Sequence, residues 1–366
     1  MIETIGCLHV HSKISGGTHS IQELAMTARQ SGVDFIVLAE NWRVEEILHL
    51  CGYREHVLVI PGAENEAEGV HFLSVGQNKF ACRKDWSVCR CLEETQMAGG
   101  KSFLAHPERF NFARARLRML ELARSHPNIL GIELWSMMER WMYSWNWLKA
   151  FLHMRVDLAG PSPRLLKSWD MHLISGRRLA VIGSVDRYNL LLFNLPLDMF
   201  KVKNPLKKIR THVFVSEITG DAGMDSNAII RSLCLGNAFI ANDEICDSKN
   251  TRFLLKKKNA VLSACGEIMK YVSPEEDLSL MMMIPKRAEI RLVKNGEIID
   301  ESEDLSKEWY IHEPGVYRAE VRLNSVPWIF TNPFYLIQKS RQEMNWLGEE
   351  SVLAQTGQMA MSHEES

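Results

Sequence analysis

The chain has 366 residues, 46% of them hydrophobic and 24% charged, which is enough apolar surface for a large buried core and excludes a disordered protein. A formal net charge of -2 and an isoelectric point near 6.7 exclude a global field that recruits nucleic acid or an anionic membrane, so an anionic ligand must be held locally. Met1-Ile2-Glu3-Thr4 lacks the basic start and apolar run of a signal peptide, no apolar stretch reaches the length of a membrane span, and a cytoplasmic location is expected.

The first element is the run Ile5-Gly6-Cys7-Leu8-His9-Val10-His11-Ser12, read as a strand. Side chains alternate with period two, which predicts His9 and His11 on one face and Leu8 and Val10 on the other. Two imidazoles at a strand end, just before Ser15-Gly16-Gly17-Thr18, are a candidate pair of metal ligands; surface histidines are the plain alternative. Ser20-Ile21-Gln22-Glu23 reads as a capping box opening a helix with Ile21, Leu24, Ala25 and Ala28 on one face and Gly32 as its stop. Buried strands are then expected over Asp34–Ala39, ending at Glu40-Asn41, and over Val57–Ile60, ending at Pro61-Gly62-Ala63-Glu64, with Val70–Val75 as a hairpin-like partner. Ser102–Ala105 ends at His106-Pro107, Ile129–Ile132 at Glu133, and Leu179–Ile182 at Gly183-Ser184-Val185-Asp186; Thr211–Val215 is the candidate last strand. Helices over Ala113–Ala123 and Arg164–Ile174 lie between them. Short buried strands alternating with helices predict an α/β fold of parallel strands joined by crossovers, as a closed barrel or an open doubly wound sheet.

In this reading His9, His11, Glu40, Asn41, Glu64, His106, Glu133 and Asp186 all sit at or just past the C-terminal end of a strand, where parallel β/α barrels build active sites. Each has a bland alternative: Glu64 can cap a helix, Glu133 can be solvated, and His106 can simply end a strand before proline. Taken together they form a mixed imidazole and carboxylate shell without thiolate, suited to one or two catalytic divalent ions (Mn, Fe or Zn), with two ions if a carboxylate bridges. Such ions lower the pKa of a bound water and clamp a phosphoryl or carbonyl oxygen, which points to hydrolysis. The eight cysteines are scattered, and Cys89-Arg90-Cys91 has the wrong spacing for a zinc ribbon or a redox motif, so all are expected to be reduced and structural.

Leu8-His9-Val10-His11-Ser12, Ile60-Pro61-Gly62-Ala63-Glu64, Ala105-His106-Pro107 and Gly183-Ser184-Val185-Asp186, in this order and spacing, resemble the PHP superfamily, named for polymerase and histidinol phosphatase. The resemblance implies a distorted seven-stranded β/α barrel of TIM-like form with up to three metals. Gly131-Ile132-Glu133-Leu134-Trp135, Leu165 to Asp170 with Gly176-Arg177-Arg178, and Val316 to Val321 with Asn332-Pro333-Phe334 resemble the carbaryl-hydrolase branch, in which a β-rich domain follows. Carried over, His9, His11, Glu64 and Asp186 would complete one metal site, with Glu64 and His106 contributing to a second and Glu133 as an additional ligand. These residues, Glu133 aside, would also be the catalytic set, around a metal-bound hydroxide. The chain departs from the family at Cys7 and Gly16, each in place of an aspartate, at Ala39-Glu40-Asn41 in place of Thr-Asp-His, and at Tyr188 in place of a histidine. The family's third site leans on the histidines that are Asn41 and Tyr188 here, and is expected to be empty. His19 and His71 are partial substitutes, with surface or supporting roles as the plainer reading.

On the substrate side, Arg109 and Arg187 are candidates for binding a phosphate, with Asn41, Tyr188 and Trp135 beside them. Trp135, Trp141, Trp145 and Trp147 pack in the plain reading and wall the metal centre in the sharper one. Gly223–Leu235 is expected to be a helix with Asp225-Ser226-Asn227 as cap candidates and Gly236 as its stop. From about residue 247 the pattern turns to alternating strands, with Asn295-Gly296 as a two-residue hairpin turn, and predicts a small antiparallel β-sandwich. Met281-Met282-Met283 reads as strand core. The expected organisation is thus a barrel over residues 1–246, a β-sandwich over 247–340 and a mobile tail over 341–366. The leading functional expectation is a metal-dependent phosphoesterase acting on a small molecule, with neither a membrane nor nucleic acid as partner, and with a homo-oligomer left open. The alternatives are a weakly active or non-catalytic relative that binds a ligand in the remnant site, and a carbamate or aryl-ester hydrolase.

Overall fold

The computed structural model of the protein describes residues 1–40, 44–79, 82–83, 85–108, 119, 121–137, 160–186, 190–192, 195–197, 205–258, 260–266, 268–271 and 277–338. Most of the helix expected over Ala113–Ala123, together with Trp141, Trp145, Trp147 and the tail, lies outside the described residues.

The fold is mixed α/β about one large sheet. Its first part comprises β1 (Ile2–Val10), β2 (Phe35–Leu38), β3 (Gly52–Arg54), β4 (Val57–Ile60), β5 (Gly62–Ala67), β6 (Val70–Val75), β7 (Lys101–Leu104), β8 (Ile129–Ser136) and β9 (Ala180–Ser184). Pairing runs β1–β2–β4 in parallel, and β4 passes through Pro61 into β5. From there β5–β6–β7 is antiparallel and β7–β8–β9 parallel, and Leu8 of β1 pairs with Ser184 of β9, so the circuit returns to its start. One set of buried side chains, including Leu8, Phe35, Val37, Ile60, Leu73, Phe103 and Ile182, packs as a single cluster. The alternate residues, among them Val10, Ile36 and Val59, pack with the helices α1 (Ile21–Gln30), α3 (Val88–Met97) and α4 (Pro163–Ile174), a short α2 (Val44–Ile47) lying between the first two in sequence. Each such side chain contributes about 1.5–3 kcal/mol on burial, and this holds the strand ends in place.

Local signals in the sequence are realised where they act locally. Glu23 of α1 accepts from the Ser20 N–H at 2.7 Å while Ser20 Oγ accepts from the Glu23 N–H at 3.3 Å, the two halves of the capping box. Helix α5 (Ala222–Leu235) stops at Gly236 with φ 76°, but its cap is Asp221. Asp225 instead turns back to accept from the N–H groups of Thr219 and Gly220 and from the Tyr53 hydroxyl at 2.6 Å, which removes it from the cap position.

A small hairpin, β10 (Leu190–Leu192) with β11 (Leu195–Leu197), precedes β12 (Ile209–Val215). The expectation of β12 as a last parallel strand is corrected: it runs antiparallel to the first half of β1, from Ile2 to Gly6, and pairs onward with β13 (Ala238–Asn242). The connection between β12 and β13 is α5, and the second half of β1 is already taken by β9, so β12 serves as a bridge to the C-terminal strands. Those are β14 (Arg252–Lys257), β15 (Ala260–Ala264), β16 (Ile268–Tyr271), β17 (Leu278–Lys294), β18 (Glu297–Tyr310), β19 (Gly315–Leu323), β20 (Val326–Thr331) and β21 (Phe334–Gln338). Strand β13 pairs with β20, and the Asn332 side chain accepts from the Val181 N–H at 2.8 Å, joining the two parts. Asn295 and Gly296 have φ 49° and 82° and make the expected tight turn between β17 and β18. Pairing here is antiparallel except for β16 with β21. Of the three methionines, Met282 is core, while Met283 is 40% exposed.

The expectation that every cysteine is reduced is also corrected. Cys82 and Cys91, with Cα atoms 4.7 Å apart, form a disulfide, and Cys7, Cys51, Cys89, Cys234, Cys246 and Cys265 take no part in one. Among the described residues no helix is long and apolar enough to cross a membrane.

Candidate metal centre

The strand that carries the two histidines does not alternate throughout. Leu8 joins the inner cluster and Val10 the helix-facing one, although strict period two would put them on the same side. His9 has φ 60°, and the β1–β2 register shifts between Cys7 and Val10, so a bulge sits at His9. The rings of His9 and His11 still converge, with centroids 5.2 Å apart. After them the chain folds back sharply: a Cβ on Gly17 would lie 2.1 Å from the His11 carbonyl oxygen, so only glycine fits.

His106 and Asp186 also have positive φ, 30° and 41°. Such backbone costs on the order of 1–3 kcal/mol per residue and persists only where the surroundings over-determine it. Here they do. The Asp186 N–H donates to the His9 carbonyl at 3.0 Å, and the His106 N–H donates to Glu133 Oε2 at 2.9 Å. Three strained residues, from the ends of β1, β7 and β9, meet in one cluster.

Glu64, on β5, is at its centre. Its Oε2 lies 3.5 Å from His11 Nε2 and 3.7 Å from His9 Nε2, and Asp186 Oδ1 is 3.8 Å from His9 Nε2. Its Oε1 accepts from His106 Nε2 at 2.9 Å and from His71 Nδ1 at 2.8 Å. His9, His11, His106, Glu64 and Asp186 are all buried, and His71 is nearly so. Burial works against charge on His9, but the carboxylates of Glu133 and Asp186 outweigh it and hold its pKa well above the ordinary histidine value. Burial also works against an ionised Glu64, yet the surrounding imidazoles of His106, His11, His71 and His9 hold its pKa well below the ordinary range.

The donor set fits a divalent ion. Four ligands at about 2.0–2.2 Å from an ion stand about 3.3–3.6 Å apart, close to the spacings around Glu64 Oε2. His9 Nε2 is buried with no hydrogen-bond partner among the described residues. Among the described residues three donor groups converge within 4.8 Å: His9, His11 and Glu64; His9, His106 and Asp186; and Glu64, His71 and His106.

Glu133, expected as an additional ligand, belongs to none of these groups. Its Oε1 accepts from His9 Nδ1 at 2.6 Å and its Oε2 from the His106 N–H, so both oxygens are engaged. It stands behind His9 and fixes which ring nitrogen faces the cluster. Trp135, expected beside a substrate, is corrected to a core residue. The β8–β9 register shift between Glu133 and Trp135 takes it off the face of Glu133, and it is 1% exposed, edge-on to Phe330 at 5.6 Å. Asn41, Arg109, Arg187 and Tyr188 lie outside the described residues. Glu40 is buried and accepts from the Ser12 N–H at 3.1 Å, which pins the loop after His11.

His71 is the member that sequence reading undervalued. The turn at Glu68-Gly69, φ 51° and 76°, sets the register that puts Glu66 opposite His71 and Glu64 on the same face. Glu-Gly is a weaker turn signal than Asn-Gly, so the register was not evident from the sequence.

No family model matches the chain, and no curated protein matches it. Among solved structures it is similar to a two-domain protein from Bacteroides vulgatus containing a predicted PHP-like metal-dependent phosphoesterase, at 14% identity and a TM-score of 0.45, covering 91% of this chain and 95% of that one. It is also similar to an amidohydrolase from Chromobacterium violaceum with bound sulfate and no metal, at 13% identity and a TM-score of 0.36, covering 50% of this chain and 87% of that one. A third, a predicted metal-dependent phosphoesterase from Bifidobacterium adolescentis, matches at 15% identity and a TM-score of 0.33, over 54% of this chain and 94% of that one.

Proposed function

We propose that this protein is a metal-dependent hydrolase of the PHP type, with a small phosphoester as substrate. The observation that carries the reading is the buried carboxylate of Glu64, on β5, with histidine nitrogens facing both of its oxygens. His9, His11, Glu64 and Asp186 would hold the ion. When bound, a divalent ion there lowers the pKa of a coordinated water and stabilises negative charge on a phosphoryl oxygen. Glu133 keeps the Nδ1 proton of His9 directed away from the cluster, so that Nε2 presents its lone pair. The strained backbone at His9, His106 and Asp186 is consistent with a preorganised site.

Phosphoester is preferred to the aryl-ester or carbamate alternative because Trp135, the one tryptophan of the expected aromatic wall among the described residues, is sealed in the core. The carbaryl-hydrolase-like layout, the seven-stranded barrel over residues 1–246, the β-sandwich over 247–340 and a cytoplasmic location belong to the same proposal. So does a small molecule, rather than a membrane or a nucleic acid, as the partner.

The test is elemental analysis of protein purified without chelator, beside a His9→Ala/Asp186→Ala double variant, followed by turnover of aryl phosphates and aryl esters. Bound manganese, iron or zinc, lost in the variant together with phosphatase activity, is the expected outcome. Protein that is metal-free and takes up none of these ions refutes the reading, and loaded protein that turns over neither substrate class points to a ligand-binding relative.

A further inference from the structure

Resting on that reading of the first donor group, we infer that His71, from the β5–β6 hairpin, replaces Glu133 as the ligand that completes a second divalent-metal position with Glu64 and His106. Glu64 then bridges two ions of the manganese, iron or zinc type. The geometry makes the exchange concrete. Glu133 is drawn away by two hydrogen bonds, one to the His9 ring and one to the His106 backbone, and belongs to no donor group among the described residues. The place it leaves is filled across the hairpin: His71 Nδ1 and His106 Nε2 approach the same oxygen of Glu64, at 2.8 and 2.9 Å, and the rings of His71 and His106 have centroids 5.1 Å apart. The other Glu64 oxygen faces His9 and His11. Each carboxylate oxygen therefore has its own pair of imidazoles, and a widening of about 0.5 Å between Glu64 and the His71 and His106 nitrogens would bring them to the spacing of ligands on one ion.

The surroundings of His71 differ from those of the first group in a way that suits a separately loaded position. Its side chain is 14% exposed, where His9, His11 and His106 are fully enclosed, and its Nε2 lies 3.9 Å from Glu66 Oε2, on a side chain 61% exposed. This end of the cluster opens towards solvent. A borderline N/O donor set of two imidazoles and a shared carboxylate holds an ion more weakly than the four-donor group, so the second ion is the one that exchanges.

The competing role for His71 is to position Glu64 by a hydrogen bond alone, and metal counting separates the two. Wild-type protein, His71→Ala, His71→Asp and Glu133→Gln are dialysed against excess Mn2+ and analysed for bound metal, with EPR of the loaded forms. The expected result is two ions in the wild type with the EPR signature of a coupled pair, and one ion with an isolated-ion spectrum in His71→Ala. Recovery of the second ion is expected in His71→Asp, which restores a donor and shows that the alanine variant is folded. In Glu133→Gln the first ion binds more weakly through His9 while the second is retained at saturating Mn2+. Two ions in His71→Ala, or equal weakening of both, overturns the inference. A wild type with a single ion that His9→Ala removes and His71→Ala does not also overturns it, while leaving the hydrolase reading in place. Absence of any bound ion overturns both.

Discussion

Replacing Glu133 with glutamine is the most searching perturbation of the site, because the side chain keeps its shape and loses only its symmetry as an acceptor. In the wild type both oxygens accept, one from His9 Nδ1 at 2.6 Å and one from the His106 N–H at 2.9 Å, with the residue fully buried. Glutamine offers one oxygen and one NH2. If the oxygen faces His9, the NH2 meets the His106 N–H, and two buried donors in contact cost about 1–3 kcal/mol of stability. If the oxygen faces His106, the NH2 faces His9 Nδ1 and drives the ring proton onto Nε2, the nitrogen that must bind metal. Loss of such a partner lowers metal affinity about 10–100-fold, equivalent to about 1.4–2.7 kcal/mol at about 1.36 kcal/mol per tenfold. Chelator competition for Zn2+ or Mn2+ measures the affinity, and thermal melting in EDTA measures the stability of the metal-free protein. At least one of the two falls by the stated amount. Unchanged affinity together with an unchanged melting temperature would refute the role of Glu133 as the group that orients His9.

A second buried cluster, built from Glu3 at the start of β1 with His212 and Asp243, sets the pH dependence of stability. His212 bonds Glu3 at 2.8 Å and Asp243 at 3.1 Å; burial opposes its charge, but these partners raise its pKa above 6.5, and they in turn are lowered from 4.5 and 3.8. A raised histidine contributes below its unfolded value and is lost as pH rises through its folded value, whereas lowered acids contribute above their unfolded values and are lost as pH falls through their folded ones. The contribution is therefore greatest between about pH 4.5 and 6.5 and declines above that window. Melting of His212→Gln against pH should show the alkaline decline flattened, and a slope identical to wild type excludes the cluster as its source. Trp135→Ala should cost about 3–5 kcal/mol of stability with KM for a small aryl phosphate unchanged; a raised KM at unchanged stability would instead return Trp135 to the substrate pocket.

Much of the candidate site was legible in the sequence because its parts are set by local chain geometry. Apolar runs that stop at His11, Glu64, His106 and Asp186 predict strands ending in metal-competent donors, and the structure brings those donors to one place. Ser20-Ile21-Gln22-Glu23 and Asn295-Gly296 act over three residues or fewer, so their cap and turn follow from composition alone. What the sequence did not decide involves distant partners or a break in period. His9 and Glu133 are 124 residues apart, and nothing local says that the glutamate will accept from the imidazole instead of binding metal. The bulge at His9 and the register shift before Trp135 each displace a side chain from the face that strict alternation assigns, and only pairing with neighbouring strands creates them. His71 enters through a hairpin register, β12 runs antiparallel to the first half of β1 while β9 pairs with the second, and Cys82 finds Cys91 across nine residues. Chemistry along the chain is local and readable, whereas the direction in which a donor points depends on which strands become its neighbours.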